Sequence, residues 1–365
     1  MDKKNSQISK SYQIGLIPGD GVGPEVINEG VKVIKVVGEK LKIKFDFINY
    51  DFGGEKYLKT GEVLPEQAIE EFKKLDALYL GAVGHPQVKP GILEKELLLK
   101  IRFSLDQYIN LRPVVLYPGV ETPLKHKKPE DINFVIIREN TEGLYCGIGG
   151  FFKKGTTEEI AIQEEVNTYK GVERCIRYAF EYTKKRASSG GKKRLTLVDK
   201  ANVLTYGHDL WQRVFYSLGK EYREIEKDHQ YIDACCMWMI KNPEYFDCLV
   251  TCNLFGDIIT DLGAIIQGGL GVAAGANVNP EPSGVSMFEP IHGSAPKYAG
   301  KNVINPIATI VAGMLMLEVL GETEGAKMVD DAIRKVLLSG KIKSMDAGKM
   351  GMSTSEIGDL IVDYL

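Results

Sequence analysis

An α/β architecture built around more than one core is predicted by three observations. Short apolar runs of strand length alternate with segments whose apolar residues recur at helical spacing. Gly/Pro-rich turns follow several of the strand-like runs. The chain has 365 residues, beyond the roughly 250–300 at which a single core stops growing.

Residues 12–18 read as a buried strand that ends in the turn Gly19-Asp-Gly-Val-Gly23. Over residues 24–42, Val26, Ile27, Val31, Ile34 and Val37 mark a helix with Pro24 in its first turn. Residues 45–51 alternate as a strand, 65–75 form a helix and 76–83 a second buried strand. Further on, 97–109 read as a helix, 132–138 as a strand and 171–186 as an amphipathic helix. A loop over 187–194 enters a strand at 195–199, followed by a helix over 209–221. The strand 246–252 runs into a helix over 256–266. After the Gly/Ala-rich stretch 268–275, helices are expected at 305–320, at 323–338 and from Ser353.

Composition excludes several classes. The chain is 44% hydrophobic and 26% charged, close to the globular average rather than that of a disordered or collagen-like chain. Its net charge of −3 argues against wholesale nucleic-acid binding. Six Cys in a chain of this length make no disulfide framework. No CxxC pair exists, so buried free thiols in a reducing compartment are expected rather than zinc. The polar first residues lack the apolar core of a secretory leader, and no apolar run is long enough to span a membrane. A cytoplasmic location is the expectation.

The glycines at 19, 21 and 23 suggest a Rossmann phosphate loop, but the pattern is GxGxG, with Pro24 in the sixth position. The fingerprint requires GxGxxG and an acidic residue about twenty positions on. A tight strand-to-helix turn is the better reading. The chemistry lies further along. Asp257 and Asp261 stand four apart at the start of a helix that follows an apolar strand. That arrangement suits Mg²⁺ or Mn²⁺, although acids in a first helical turn also serve the helix dipole. Arg102, Arg112 and Arg138 are each embedded in apolar sequence; each alone suits a structural ion pair, and the three together can clamp the carboxylates of a small anion. Lys200 directly follows an apolar strand and fits a general base, with a snorkelling surface lysine as the alternative. The stretch from Glu289 through His292 and Lys297 to Gly300 is a Gly/Pro-punctuated loop of the ligand-wrapping kind.

Taken in order along residues 14–365, six motifs resemble those of the β-decarboxylating dehydrogenases. This is the family of isopropylmalate, isocitrate, homoisocitrate and tartrate/malate enzymes. The motifs are the run Ile17-Pro-Gly-Asp-Gly-Val-Gly-Pro-Glu25, Asn110-Leu-Arg-Pro113, Arg138-Glu-Asn-Thr-Glu-Gly143, Asp199-Lys-Ala-Asn202, Asn253-Leu-Phe-Gly-Asp257 and His292-Gly-Ser-Ala-Pro296. The resemblance implies a two-domain fold with a large mixed sheet flanked by helices, not a Rossmann fold. An outer, cofactor-side domain would comprise residues 1–107 and 268–365. An inner dimerising domain with the metal and substrate site would comprise 108–267.

It also implies roles. Asp257, Asp261 and, from a second copy of the chain, Asp233 would hold Mg²⁺ or Mn²⁺. Lys200, also from the second copy, would help remove the hydroxyl proton, and Tyr145 would protonate the carbon after CO₂ leaves. Arg102, Arg112 and Arg138 would fix the malate carboxylates, with Asn202 beside them. Glu289, His292, Gly293, Ser294, Ala295, Lys297, Tyr298 and Asn305 would line the cofactor site. A site shared between copies makes a homodimer the expectation.

Isocitrate enzymes place a Ser and an Asn six and four residues before the first arginine, where this chain has Glu96 and Leu98. Leu98, Leu99 and Val203 would form an apolar pocket for an isopropyl group. The expected reaction is oxidative decarboxylation of 3-isopropylmalate in leucine biosynthesis, with isocitrate, homoisocitrate or tartrate/D-malate as alternatives. NAD is the expected acceptor. Lys297-Tyr298 replaces the Asp-Ile of NAD-dependent members and admits NADP, because a lysine pairs with a phosphate but cannot accept from ribose hydroxyls.

Overall fold

The computed structural model describes residues 10–365. The polar first residues read above fall largely on residues 1–9, outside the described residues. In chain order the elements are β1 (Lys10–Gly19), α1 (Gly23–Leu41), β2 (Ile43–Asn49), α2 (Gly54–Thr60), α3 (Glu66–Phe72), β3 (Ala77–Ala82), α4 (Lys100–Ser104), β4 (Ile109–Val115) and β5 (Asn133–Glu139). They continue with β6 (Gly149–Phe152), β7 (Ile160–Gln163), α5 (Tyr169–Ser188), β8 (Arg194–Asp199), α6 (Gly207–Leu218), β9 (Glu226–Tyr231), α7 (Ile232–Lys241) and β10 (Cys248–Thr251). The last are α8 (Asn253–Ile266), β11 (Ala274–Val278), β12 (Ser286–Pro290), α9 (Ile307–Val319), α10 (Thr323–Leu338) and α11 (Thr354–Tyr364).

Two compact units result. The first comprises Met1–Gln107 (described from residue 10), Leu116–Pro123 and Gln267–Leu365; the second comprises Tyr108–Val115 and Leu124–Ile266. The short return of Leu116–Pro123 to the first unit has no counterpart in the sequence reading.

In the first unit the strands run β2-β1-β3-β12-β11. β1 is parallel to β2 and β3, β12 is parallel to β3, and β11 is antiparallel to β12. Helix α9 is apolar all round, as a helix enclosed on every side must be. It packs on β12, β11, α1 and α10. Where α1, α9 and β3 meet, Tyr79 is fully buried, and its hydroxyl donates to the Thr309 carbonyl at 2.5 Å. Gly30 of α1 and Gly313 of α9 give that ring its space. A Cβ on Gly30 would overlap the Tyr79 hydroxyl, and one on Gly313 would stand 3.0 Å from it.

In the second unit the order is β4-β5-β10-β8-β9. β4 is antiparallel to β5, whereas β5, β10, β8 and β9 are mutually parallel. Helices α5 and α6 join through the stacked rings of Phe180, Phe215 and Tyr222, 5.4 and 4.7 Å from Phe180. The hairpin β6–β7 stands apart from this sheet, with Phe151, Phe152, Ile160 and Ile162 exposed. No helix among the described residues is long and apolar enough to cross a membrane.

One predicted helix differs in extent from its sequence-based expectation. The helix over 97–109 is instead a π-helical stretch, Glu94–Leu99, continued by α4 and ending at Ser104. The Gln107 amide closes back on the Arg102 carbonyl at 2.8 Å and Asp106 takes a positive φ of 45°, so the chain leaves the helix before Tyr108. The apolar residues from Ile109 onward belong to β4.

Helix propensity alone predicts that Gly30→Ala stabilises α1 by about 0.5–1 kcal/mol. The crowding at Tyr79 reverses the sign. The expected outcome is a loss of roughly 1–3 kcal/mol, read as a lower chemical-denaturation midpoint. Gly30→Ala in a Tyr79→Phe background should recover part of that loss; a neutral or stabilising Gly30→Ala contradicts the packing described.

Candidate active site

The predicted site residues of the second unit lie at one edge of its sheet. Parallel strands β5, β8 and β10 end there with their carboxyl termini, the edge at which open α/β sheets present ligands. Antiparallel β4 brings its first residues to the same edge, with Asn110 opposite Arg138.

Arg138 is next to last in β5 and is 2% exposed. Its Nε and Nη2 donate to Asn253 Oδ1 at 3.0 and 2.6 Å, and its Nη1 pairs with Asp257. A Cβ on Gly256 would run into the stem of the same arginine. Three positions of the Asn253-Leu-Phe-Gly-Asp257 motif are therefore explained by a single guanidinium. Asn253 also donates to the Glu142 carbonyl at 3.0 Å, tying the start of α8 to the Arg138–Gly143 motif. Within that motif the buried Glu139 accepts from the Thr141 and Glu142 amides, each at 2.8 Å.

Tyr145 donates to the second oxygen of Asp257 at 2.8 Å. Burial pushes the Asp257 carboxyl up, but the Arg138 charge, the Tyr145 hydroxyl and the more distant Arg112 together hold it below the usual carboxylate range. Arg112 Nε donates to Asn110 Oδ1 at 2.9 Å. Asp261 lies one helical turn beyond Asp257 and is exposed.

Lys200 and Asp233 form a second group. The Lys200 ammonium pairs with Asp233, which is exposed at the start of α7. That pairing, with the helix N-terminal amide, keeps the Asp233 carboxyl low. Asn202 and Val203 are exposed beyond Lys200. Asp233, Asp257 and Asp261 do not converge in one chain. Among the described residues, the metal-type ligand atoms that do converge are those of Glu165, His208 and Cys252. Their sequence spacing carries no ligand pattern, and they are brought together only by folding.

In the first unit, Arg102 is paired with Glu289, Nη2 to Oε1 at 3.1 Å, and Asn277 also donates to Glu289 at 2.7 Å. A residue expected on the cofactor therefore holds an arginine expected on the substrate. Leu98 and Leu99 are half-buried, and Leu98 packs on the core that includes Leu97 and Ile101. His292 Nδ1 donates to the Gly293 carbonyl at 3.1 Å. The ring's Nε2 is then an acceptor, buried and without a partner among the described residues, and burial lowers the imidazole's affinity for a proton. The Ser294 carbonyl accepts from the Val22 amide at 2.9 Å. The Val22 amide of the Gly19–Gly23 turn is thus spent on a protein carbonyl rather than left for a phosphate. Asp20 of that turn accepts from the Gly54 and Gly84 amides at 2.8 and 2.9 Å. Ala295 takes a positive φ of 39° entering the turn Pro296–Tyr298, where the Lys297 ammonium lies 4.7 Å from the Tyr298 ring centre. Asn305 Oδ1 accepts at 3.0 Å from the Ile307 amide, the first of α9.

The model of the family described as isocitrate/isopropylmalate dehydrogenase matches residues 13–361, and the chain belongs to that family. It is thereby a β-decarboxylating dehydrogenase. It is similar to the 3-isopropylmalate dehydrogenase of Thermobifida fusca, with 48% identity over 96% of this chain and 97% of that one. Similarity to the 3-isopropylmalate dehydrogenase of Streptomyces coelicolor is 45% over 97% and 98% of the two chains. Among solved structures, the isocitrate dehydrogenase of Methylococcus capsulatus superposes with a TM-score of 0.84 at 36% identity, covering 97% of this chain and 99% of that one.

Removing the Asp257 charge strands the buried Arg138 cation. In chelator-treated protein, Asp257→Asn is expected to unfold at a lower denaturant concentration than the parent at about pH 7. Because the folded carboxyl is depressed, its stabilisation is present above the ordinary carboxylate range and is lost as pH falls through the folded value. The gap between the two proteins should therefore shrink towards about pH 3. A gap of equal size at both pH values would show that the ion pair contributes nothing.

Proposed function

We propose that the protein oxidises and decarboxylates 3-isopropylmalate to 2-oxo-4-methylpentanoate, using NAD and a divalent cation in a homodimer with shared sites. The observation that carries the substrate choice is the pair Leu98–Leu99 on the turns before Arg102, in place of groups able to hold a third carboxylate. An isocitrate carboxylate left unpaired beside them costs several kcal/mol, whereas an isopropyl group gains by burial there. The high identity to relatives named for 3-isopropylmalate supports the same reading.

Asp233, Asp257 and Asp261 fit Mg²⁺ or Mn²⁺, since all three offer hard oxygen donors and Arg138 keeps Asp257 ionised. Such an ion supplies Lewis-acid polarisation of the substrate hydroxyl and its neighbouring carboxylate. The unpartnered Nε2 of His292 fits an amino donor such as that of an adenine, and a nicotinamide supplies the hydride acceptor. Within this frame Lys200 takes the hydroxyl proton as the alcohol is oxidised. The C–C bond to the β-carboxylate then breaks, CO₂ leaves, and Tyr145 donates a proton to the carbon it vacated. Arg102, Arg112 and Arg138 orient the substrate carboxylates. Exposed Lys297 leaves NADP admissible beside NAD.

The homodimer rests on apolar surface with nothing over it in one chain. Met237, Trp238 and Ile240 on α7, with Ile258 and Ile265 on the neighbouring α8, are exposed, as are four large side chains of the β6–β7 hairpin. Six unpaired thiols support a reducing, cytoplasmic setting.

The substrate assignment is tested by assaying purified protein with Mg²⁺ and each of NAD and NADP. kcat/KM for 3-isopropylmalate should exceed that for isocitrate by roughly 100-fold or more, and chelation should abolish turnover; faster use of isocitrate overturns the assignment. Shared sites are tested by complementation. Lys200→Met and Asp257→Asn should each be inactive, and refolding them together should restore up to about half of the parent activity per mixed dimer, since one of its two sites is intact. No recovery in a mixed dimer shown to form would place both residues in one chain's site.

A further inference from the structure

We infer that His208, oriented by Glu165, is a positioning residue for Lys200: it anchors the backbone from which the lysine projects. The inference rests on Lys200 being the group that takes the hydroxyl proton, and goes beyond it by naming what fixes that lysine.

The Lys200 amide donates to His208 Nδ1 at 3.1 Å. A backbone amide can only donate, so Nδ1 carries a lone pair and the ring's proton sits on Nε2. Nε2 faces Glu165 Oε1 at 3.3 Å. The hydrogen bond from His208, with help from Asn167, holds the Glu165 carboxyl below its usual range, so an ionised acceptor meets the Nε2 proton. Asn167 in turn accepts from the Trp211 indole at 2.8 Å. His208 has no exposed surface, and its ring centre lies 5.2 Å from that of Phe255. The imidazole is thus fixed from its far side and from its face, and its remaining nitrogen meets the Lys200 amide.

The opposite flank of the turn is pinned as well. Asp199, 1% exposed, accepts from the Ala201 amide at 3.0 Å and is held by His229 at 2.9 Å and Gln212 at 3.0 Å. Lys200 is therefore left with side-chain rotation alone, and a reacting group needs that kind of placement.

Cys252 brings its sulfur within 4.8 Å of the Glu165 and His208 ligand atoms, a donor set that zinc can use. The hydrogen bonds favour the other reading. A ring whose Nδ1 accepts from the Lys200 amide and whose Nε2 carries its proton towards Glu165 has no lone pair left for a metal.

The test uses the full-length enzyme with 3-isopropylmalate, Mg²⁺ and NAD. His208→Phe keeps a ring against Phe255 but removes the acceptor; His208→Asn returns an acceptor near the place of Nδ1, and His208→Gln carries its amide towards Nε2. We expect kcat to fall roughly 10–100-fold in His208→Phe with substrate KM within about twofold, and most of kcat to return in His208→Asn but not in His208→Gln. Parent-like kcat in His208→Phe, or Asn no better than Gln, overturns the inference. If His208→Phe does not fold, the Asn–Gln comparison decides alone. Lys200→Met assayed in parallel separates the two levels: activity there removes the lysine assignment itself, whereas a silent Lys200→Met beside a normal His208→Phe removes only the anchoring role. Stoichiometric zinc in the purified protein, lost in Cys252→Ser, also overturns it.

Discussion

A cation buried at the end of a strand is the constraint around which the second unit is organised. The Arg138 guanidinium cannot remain in that position without an opposite charge and acceptors for its N–H groups. Asn253 and Asp257 provide both, one helical turn apart, so α8 must begin where β10 delivers it, and Gly256 must leave room for the arginine's stem. Satisfying the arginine fixes the direction of the helix. The direction of the helix then presents Asp261 one turn further on and leaves the second Asp257 oxygen for Tyr145. The acids that suit a cation are thus placed by the demands of a neighbouring guanidinium.

Much of this was legible in the sequence, and the boundary of legibility has physical causes. Helices α1, α5 and α10 bury one face each and carry strong helical periodicity, and strands β3, β5 and β8 are short apolar runs. β9 was invisible because its residues, Glu226–Tyr231, are mostly polar at the edge of the sheet. β11 is small and Gly-bearing, and the apolar residues of β6 and β7 face outwards, so none showed the pattern of a half-buried strand. The helix before β4 was read too long because apolar sequence continues from Ile101 into Ile109 with no Gly or Pro to interrupt it. Among site residues, the acids and Lys200 announced themselves by following apolar strands. The partners of those residues did not. Asn253 takes up Arg138 across 115 positions, Glu289 takes up Arg102 across 187, and Glu165 meets His208 across 43.

The glycine turn after β1 shows how a motif can be conspicuous for a reason other than ligand binding. Gly21 lies so close to the Ser294 carbonyl that a side chain would collide with it, and Glu25 accepts from the Gly300 and Asn302 amides. The turn is a buttress: it holds both ends of the 294–302 loop, where nucleotide contacts are expected. The Val22 amide and the Glu25 carboxylate both serve that loop.

The thiols have a consequence for how the molecule can be watched. All six cysteines are unpaired, and every one lies in the second unit, while the first contains none. Cys175, Cys235, Cys248 and Cys252 are buried, and burial raises each thiol, so the reactive thiolate is scarce until the surrounding packing opens. Alkylation at these four therefore clocks the opening of one half of the molecule while remaining blind to the other. The chain carries its own unit-resolved reporter of local unfolding, without any label being engineered into it.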